Sequence, residues 1–123
     1  QVLGVSDIRL SYCCVKCNRC VKADKAQKIV TCENDKCKLM QKLERCKKQW
    51  YLKGLVGYDN QNTVNLLFRH DQIMQAMVIS QPTIDTRNLQ IEDIRDAFLS
   101  LSDCKITYKN EVMVVTDISD GFF

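Results

Sequence analysis

Glycine and proline, the residues that most often interrupt regular secondary structure, are scarce: the sequence has one proline and four glycines among 123 residues. This scarcity excludes a low-complexity linker. No apolar run approaches the roughly 18 residues of a membrane-spanning helix, and no charged segment leads into an apolar one as in a signal peptide. We therefore expect no membrane partner. With a single histidine and no phosphate-binding glycine loop, we also expect neither an enzyme nor a small-molecule substrate.

Length and hydropathy predict one domain over residues 1–123. Hydrophobic residues make up 46% of the chain, which is enough to build a core without disulfide bonds. Because the sequence begins at Gln1 rather than at a methionine, we expect it to be a piece of a larger protein.

Cysteine is what the chain has in abundance, since seven of its eight cysteines lie between Cys13 and Cys46. Two close pairs, Cys14/Cys17 and Cys32/Cys37, have the spacing of turns that direct four thiolates at one structural zinc ion. Cys17 and Cys20 repeat the spacing of the first pair. The set of Cys17, Cys20, Cys32 and Cys37 is therefore an alternative at this point.

A disulfide framework is the other interpretation of an even number of cysteines. Disulfides that staple a small domain would be spread along the chain, whereas these cysteines are concentrated in one third of it. We therefore favour zinc and a reducing compartment, the cytosol or nucleus. Cys13, Cys46 and Cys104 are then interpreted as ordinary buried thiols.

The net charge of +3 conceals an asymmetry between the two halves of the chain. Residues 1–58 contain 13 Lys/Arg and 5 Asp/Glu, whereas residues 59–123 contain 5 Lys/Arg and 10 Asp/Glu. A basic half favours a polyanionic partner, because phosphate contacts release counterions. A solvated charged surface is the simpler alternative.

The order of predicted elements indicates a mainly β fold. Strands are predicted over 2–12, 49–58, 63–68, 104–108 and 112–118, with a helix capped by Asp71 and a second helix over 91–101. Five short strands with helices between the third and fourth predict a five-stranded OB-fold barrel. The cysteine segment, 13–40, would be a zinc ribbon inserted between strands 1 and 2.

These features resemble one family. The run Cys14-Val-Lys-Cys17-Asn18-Arg-Cys20-Val21, then Leu67-Phe68 before a helix, and the stretches 108–111 and 114–118 resemble the C-terminal DNA-binding domain of the replication protein A large subunit. The resemblance implies a zinc-ribbon OB-fold that binds single-stranded DNA, with Cys14 rather than Cys20 as a ligand. It also implies a nuclear location and a parent protein of replication, repair, meiosis or telomere maintenance.

The sequence departs from the family in three places. Its second cysteine pair has a longer spacing than the family's common pattern, and its predicted fourth strand is short. The sequence stops at Phe123 without the C-terminal helix that assembles the family's heterotrimer, so we do not expect the same trimer from the resemblance.

Two functions of different classes follow. Nucleic-acid binding would use a predicted strand that carries both aromatic and basic residues: Trp50, Tyr51, Tyr58, Lys47, Lys48 and Lys53. Trp50 and Tyr51 are neighbours on that strand, so at least one of them should face outward. Protein docking within a multi-subunit DNA-maintenance complex is the alternative, and it would use the acidic second half of the chain and the exposed part of the 91–101 helix. The terminal Phe122 and Phe123 are interpreted as an apolar edge left by truncation.

Overall fold

The structure, a computed structural model, describes residues 1–21, 26, 28–59, 61–101 and 104–120. Its contacts divide the chain into two compact units. Unit 1 consists of Gln1–Arg9 and Trp50–Phe123, and unit 2 is Leu10–Gln49. The predicted insertion, 13–40, lies within unit 2, while Phe122 and Phe123 lie outside the described residues. Neither helix in the described ranges has the length and apolar character needed to cross a bilayer.

The protein is mainly β, as predicted, and most predicted elements occur close to their expected bounds. The strands are β1 (Val2–Cys13), β2 (Cys20–Val21), β3 (Ile29–Thr31), β4 (Met40–Lys42), β5 (Lys47–Gly57), β6 (Thr63–Phe68), β7 (Cys104–Lys109) and β8 (Val114–Asp120). The helices are α1 (His70–Ser80) and α2 (Ile91–Leu99), with short 3₁₀ turns at Leu43–Arg45 and Thr86–Asn88.

One six-stranded sheet has the order β2-β1-β5-β6-β8-β7, and β3 and β4 form a separate two-stranded sheet. β5 and β6 are an antiparallel pair in which Lys53 lies opposite Leu67 and Leu55 lies opposite Asn65. β8 lies between β6 and β7, parallel to the former and antiparallel to the latter. The last strand in sequence therefore returns to the interior of the sheet, while a closed five-stranded barrel stays a prediction.

Unit 1 has an ordinary apolar core. The rings of Phe68 on β6 and Phe98 on α2 meet edge to face, with centroids 4.9 Å apart and planes at 81°. Both rings are completely buried, as are Ile73 and Met77 on α1. Edge-to-face pairs of this kind contribute about 0.5–1.5 kcal/mol beyond the burial of their area. The contact of Phe68 with Phe98 thus joins α2 to β6 through large buried side chains.

Two local predictions in unit 1 were wrong. Asp71 does not cap α1, because the helix begins one residue earlier at His70 and Asp71 lies in its first turn. The last strand begins at Val114 rather than at residue 112. Met113 adopts a left-handed φ of 56° and donates its N–H to Lys109, which lengthens the hairpin turn and delays the strand.

Unit 2 contains little regular structure, and sulfur supplies much of its core. Three of its strands have only two or three residues. Its buried cluster combines three cysteines with three aliphatic side chains: Cys14, Val21, Val30, Cys32, Leu43 and Cys46. Cys17 and Cys37 pack against that cluster while partly exposed. Cysteines therefore supply half of the buried side chains in the core cluster of this unit.

Candidate metal centre

The first cysteine pair lies in a tight turn between β1 and β2. The Cys14 N–H donates to the Arg19 carbonyl at 2.9 Å, and the Asn18 N–H returns to the Cys14 carbonyl at 3.0 Å. Asn18 adopts a φ of 63°, in the left-handed region that asparagine tolerates better than most residues. This reversal brings the sulfurs of Cys14 and Cys17 to the same side of the turn.

The second cysteine pair repeats the geometry with a different sequence. The Cys32 N–H donates to the Leu39 carbonyl at 2.9 Å, and the Cys37 N–H donates to the Asn34 carbonyl at 2.8 Å. Lys38 follows Cys37 just as Asn18 follows Cys17, and its φ of 51° is also left-handed. The longer spacing of this pair is thus accommodated within the same kind of turn.

The two turns bring four sulfurs together. The ligand atoms of Cys14, Cys17, Cys32 and Cys37 all lie within 4.8 Å of one another. The Cys14 and Cys37 sulfurs are 3.8 Å apart, and the Cys17 and Cys32 sulfurs are 3.4 Å apart. Sulfurs bound at 2.3 Å to a tetrahedral zinc would be about 3.8 Å apart, so the group has the dimensions of a metal site.

The structure distinguishes the two ligand sets predicted from the sequence. Cys14 is completely buried and belongs to the four-sulfur group. Cys20 is exposed and lies on β2, where it is paired with Cys13 across the strands. The group that could hold a metal ion therefore contains Cys14 and not Cys20.

The thiols of the group differ in their affinity for protons. Hydrogen bonds from the Cys17 backbone and from the Gln41 amide lower the pKa of Cys14 to about 6. A hydrogen bond from the Arg19 backbone lowers the pKa of Cys17. The Asn34 backbone acts in the same direction on Cys32, but burial and the adjoining thiols outweigh it and raise the pKa of Cys32 to about 12. A bound cation would replace these protons, so metal binding should weaken as the pH falls.

Gln41 contacts the four-sulfur group, and the sequence did not indicate this. It is 8% exposed, the one polar residue in the buried set of the described chain. Its Nε2 donates to the Cys14 sulfur at 3.2 Å, while its Oε1 accepts from the Val15 N–H at 3.1 Å and the Cys46 thiol at 3.5 Å. Partners of this kind orient metal ligands and tune their basicity.

The remaining cysteines of unit 2 are close to the group but outside it. Cys13 and Cys46 are buried, as predicted for ordinary thiols. Burial and then the adjacent Cys20 thiol, through charge and a hydrogen bond, raise the pKa of Cys13. Burial likewise raises the pKa of Cys46, with a smaller contribution from Cys14. Cys104, also predicted to be buried, is only half-buried on β7 of unit 1.

The structure separates the predicted nucleic-acid residues by the face of β5 on which they lie. Trp50 is buried at 4% exposure, whereas Tyr51 is 37% exposed and Tyr58 is 65% exposed. Lys53 is exposed and lies two residues from Tyr51, on the same face of the strand. Of the two neighbouring aromatics, Tyr51 is therefore the one available to a ligand.

Lys47 and Lys48 are also exposed, in the part of β5 that belongs to unit 2. The Lys47 ammonium donates to the Asn18 side chain at 2.6 Å. Lys48 lines an open cavity of about 640 Å³. Its other lining residues are Tyr12, Lys28, Ile29, Lys42, Leu43 and Glu44. Sequence reasoning missed Tyr12 and Lys28, which line the same cavity as Lys48 although they are distant from it in the sequence.

His70 has a structural contact at the start of α1. Its Nδ1 accepts the Trp50 N–H at 3.2 Å, which ties the helix terminus to β5. Because this nitrogen is the acceptor, a neutral ring carries its proton on the other nitrogen.

Comparison of the chain with protein-family models and with curated proteins finds no match.

Proposed function

We propose that this chain is a single-stranded nucleic-acid-binding module, most suited to DNA, in which a structural zinc ion holds unit 2. The observation that carries the proposal is the exposed face of β5, where Tyr51 and Lys53 alternate with buried Trp50 and Leu52. An aromatic ring beside ammonium groups on an open sheet is the combination by which barrel proteins bind single strands.

Zinc is the metal that best suits the four-cysteine group. Four thiolates in a tetrahedral arrangement favour zinc over the hard cations, which prefer oxygen ligands. All four positions are supplied by protein, so the ion would have no open site for water and would hold structure rather than catalyse. Formation of the site would order the two turns, because binding and folding are coupled in such small units.

The sheet of unit 1 supports an OB-fold. Its five long strands, with both helices between β6 and β7, follow the predicted element order. The non-consecutive position of β8 next to β6 is consistent with the Greek-key arrangement of that barrel.

The face around Tyr51 and Lys53 has the mixed character that a single strand requires. Across the β5–β6 pair, Lys53 lies opposite half-buried Leu67, and Leu55 lies opposite exposed Asn65. Every base presents a π face, so stacking on Tyr51 would tolerate any sequence, while the Lys53 ammonium would contact phosphate. Tyr58, exposed just beyond the end of β5, extends the aromatic surface.

Unit 2 adds a second basic surface. The cavity beside Lys48 has three lysines and one glutamate in its lining, together with the half-buried ring of Tyr12. This excess of positive charge favours phosphate.

A titration of fluorescently labelled oligonucleotides tests the proposal. We expect single-stranded DNA to bind more tightly than duplex, with affinity falling as salt rises. Replacing Tyr51 with alanine should cost about 1–3 kcal/mol, the range for a base stacked on an aromatic ring. Lys53→Gln should lower both the affinity and its dependence on salt, because fewer counterions are released.

Matched variants separate site contacts from net charge. Lys105→Gln, an exposed change of the same charge on β7, should leave the affinity nearly unchanged, and Arg95→Gln on α2 should behave likewise. If all of these variants weaken binding equally, the attraction is diffuse and the Tyr51 face is not the site. An RNA oligomer of the same sequence and length tests the preference for DNA.

Protein docking is the second candidate function, and a shallow apolar groove favours it. The groove, of about 410 Å³, is lined by α1 and β8 residues: Asp71, Met74, Gln75, Val78, Ile79, Ile118 and Ser119. On the predicted docking helix, by contrast, Ile91 and Leu99 are about half exposed while Ile94 and Phe98 are buried. A titration without binding for any oligonucleotide, even at low salt, would favour docking over nucleic-acid binding.

A further inference from the structure

Cys20 repeats the spacing of the first metal-binding pair but takes no part in the four-sulfur group. It lies instead on β2, directly opposite Cys13 of β1 in an antiparallel pair. The side chains of residues that face each other in this way lie on the same side of the sheet. Two thiols of unit 2 are thus adjacent without being metal ligands.

The hydrogen-bond pattern identifies the type of this pair. The neighbouring Cys14 donates its N–H to the Arg19 carbonyl at 2.9 Å, so the cross-strand hydrogen bond next to this pair lies at positions 14 and 19. Hydrogen-bonded and non-hydrogen-bonded pairs alternate along antiparallel strands, which makes Cys13 and Cys20 a non-hydrogen-bonded pair. Such pairs bring the two Cα atoms to about 4.5 Å, within the range of about 4.4–6.8 Å that a disulfide spans.

The two thiols differ in accessibility. Cys20 is exposed, whereas Cys13 is 8% exposed. An oxidant in solution would therefore reach Cys20 first, and Cys13 is positioned to attack the modified sulfur from within. This division into an accessible thiol and an adjacent resolving thiol is typical of redox-sensitive cysteine pairs.

We propose that Cys13 and Cys20 form a redox-active dithiol that closes to a cross-strand disulfide while the four-cysteine group keeps its metal. The inference rests on the register of β1 and β2 and is independent of nucleic-acid binding.

The oxidant would be a low-molecular-weight disulfide such as glutathione disulfide. The Cys20 thiolate attacks one sulfur of the small disulfide, forms a mixed disulfide and releases one small thiol. The Cys13 thiolate then attacks the Cys20 sulfur and displaces the second small thiol. Two protein thiols are oxidised by two electrons, one small disulfide is reduced to two thiols, and the two protein protons pass to those leaving groups.

The ring closed by this bond is short, since it spans residues 13–20. A short loop gains little entropic stabilisation from a cross-link, so the disulfide should be readily reduced. It would enclose the turn that carries Cys14 and Cys17 without using either sulfur.

The test exposes the full chain, supplemented with zinc, to glutathione disulfide without oxygen, followed by peptide mapping and metal analysis. We expect a peptide that links Cys13 to Cys20, retention of zinc, and reversal by a thiol reductant. Zinc release accompanied by disulfides among Cys14, Cys17, Cys32 and Cys37 would overturn the proposal.

Three variants sharpen the test. Cys20→Ser, an exposed change, should give no bridge at Cys13. Cys13→Ala should accumulate a stable glutathione adduct on Cys20, because the resolving thiol is missing. Cys104→Ser, in unit 1, should form the Cys13–Cys20 bridge like the parent chain. A stable adduct on Cys20 in the parent chain would show that Cys13 does not resolve it and would also overturn the proposal.

Discussion

The two units of this chain are built on different kinds of core. Unit 1 is held by large apolar side chains, with Phe68 and Phe98 packed edge to face and α1 and α2 contributing buried faces. In unit 2, half of the buried cluster is cysteine, and its separate sheet consists of two three-residue strands. One unit has enough apolar surface for a core, whereas the other has thiols that a metal ion would join.

The contrast indicates where stability should originate. A short segment with few aliphatic residues cannot offset the entropy of ordering its chain, and small domains commonly meet this deficit with a metal. We therefore expect unit 1 to be stable without metal and unit 2 to depend on it.

Removal of the metal should have the largest effect on stability, and it should unfold unit 2 while unit 1 stays folded. With a strong chelator, or in the Cys14→Ser variant, amide protection should be lost across 10–49 and retained in 50–101, because the ligands lie in unit 2 alone. Hydrogen exchange followed by mass spectrometry measures this.

Cys20→Ser is the matched control for that experiment, since Cys20 lies outside the four-sulfur group. It should keep its zinc and the protection of unit 2. Loss of protection throughout both units on chelation would mean that the two cores are one cooperative structure and that the contrast is false.

A cavity in the apolar core should have the converse effect: it should destabilise unit 1 and leave zinc binding by unit 2 unchanged. Phe98→Ala removes a completely buried ring from the pair with Phe68 and should lower the free energy of unfolding of unit 1 by about 3–5 kcal/mol. The single tryptophan, Trp50, is buried in unit 1, so its fluorescence in a urea titration reports on that unit.

Zinc content measured in the same samples supplies the comparison. The folded variant should bind zinc in the same proportion as the parent chain. Val78→Ala, on an exposed position of α1, should change the fluorescence midpoint little. Weaker zinc binding in the folded Phe98→Ala protein would show that the apolar core supports the metal site.

Gln41 provides a smaller test confined to unit 2. In Gln41→Glu the amide donor to the Cys14 sulfur is lost and a carboxylate stands in its place. Metal affinity should fall about 10–100-fold, as is usual when a partner of a ligand is removed. Competition with a chromophoric chelator measures the affinity. Met40→Glu, which also adds one carboxylate and one negative charge but at an exposed neighbour on β4, is the control.

An equal loss of affinity in Gln41→Glu and Met40→Glu would assign the effect to charge near the site rather than to the lost amide hydrogen bond.

The smallest effect concerns the turn between β5 and β6. The Asp59 carboxylate accepts hydrogen bonds from the Asn62 side chain and from the N–H groups of Gln61 and Asn62, which together lower the pKa of Asp59 below its usual 3.8. The stabilisation is present above pH 3.8 and is lost as the pH falls through the lowered pKa.

Urea titrations of Asp59→Asn and the parent chain, followed by Trp50 fluorescence, measure this contribution. The parent should be more stable at neutral pH. The difference should vanish in acid, because the parent's Asp59 carboxylate is then protonated whereas the variant has no carboxyl to titrate. A difference that persists in acid would exclude the carboxylate as its source.

Local patterns predicted much of unit 1. The run at 63–68 alternates in hydrophobicity, and β6 occupies the same residues. Alternation also required that Trp50 or Tyr51 face outward, but it could not decide which, since that depends on how the sheet packs. The expected cap at Asp71 failed because the chain turns into α1 one residue sooner, after extended Arg69.

In unit 2 the cysteine spacing predicted the four-sulfur group, because each turn is encoded within six residues or fewer. The contact of Gln41 with Cys14 joins residues 27 positions apart and has no local signature. The same holds for the basic cavity, which Tyr12, Lys28 and Lys48 line together from separate parts of the sequence.

The pairing of similar turns has a consequence for assembly. Each turn alone presents two sulfurs, so a metal ion can first be captured by either pair and later completed by the other. Once the ion is held by one turn, the second pair competes at the high effective concentration set by the intervening chain rather than by diffusion from solution. Capture should therefore depend on metal concentration, whereas closure should not, and rapid-mixing experiments would separate the two steps.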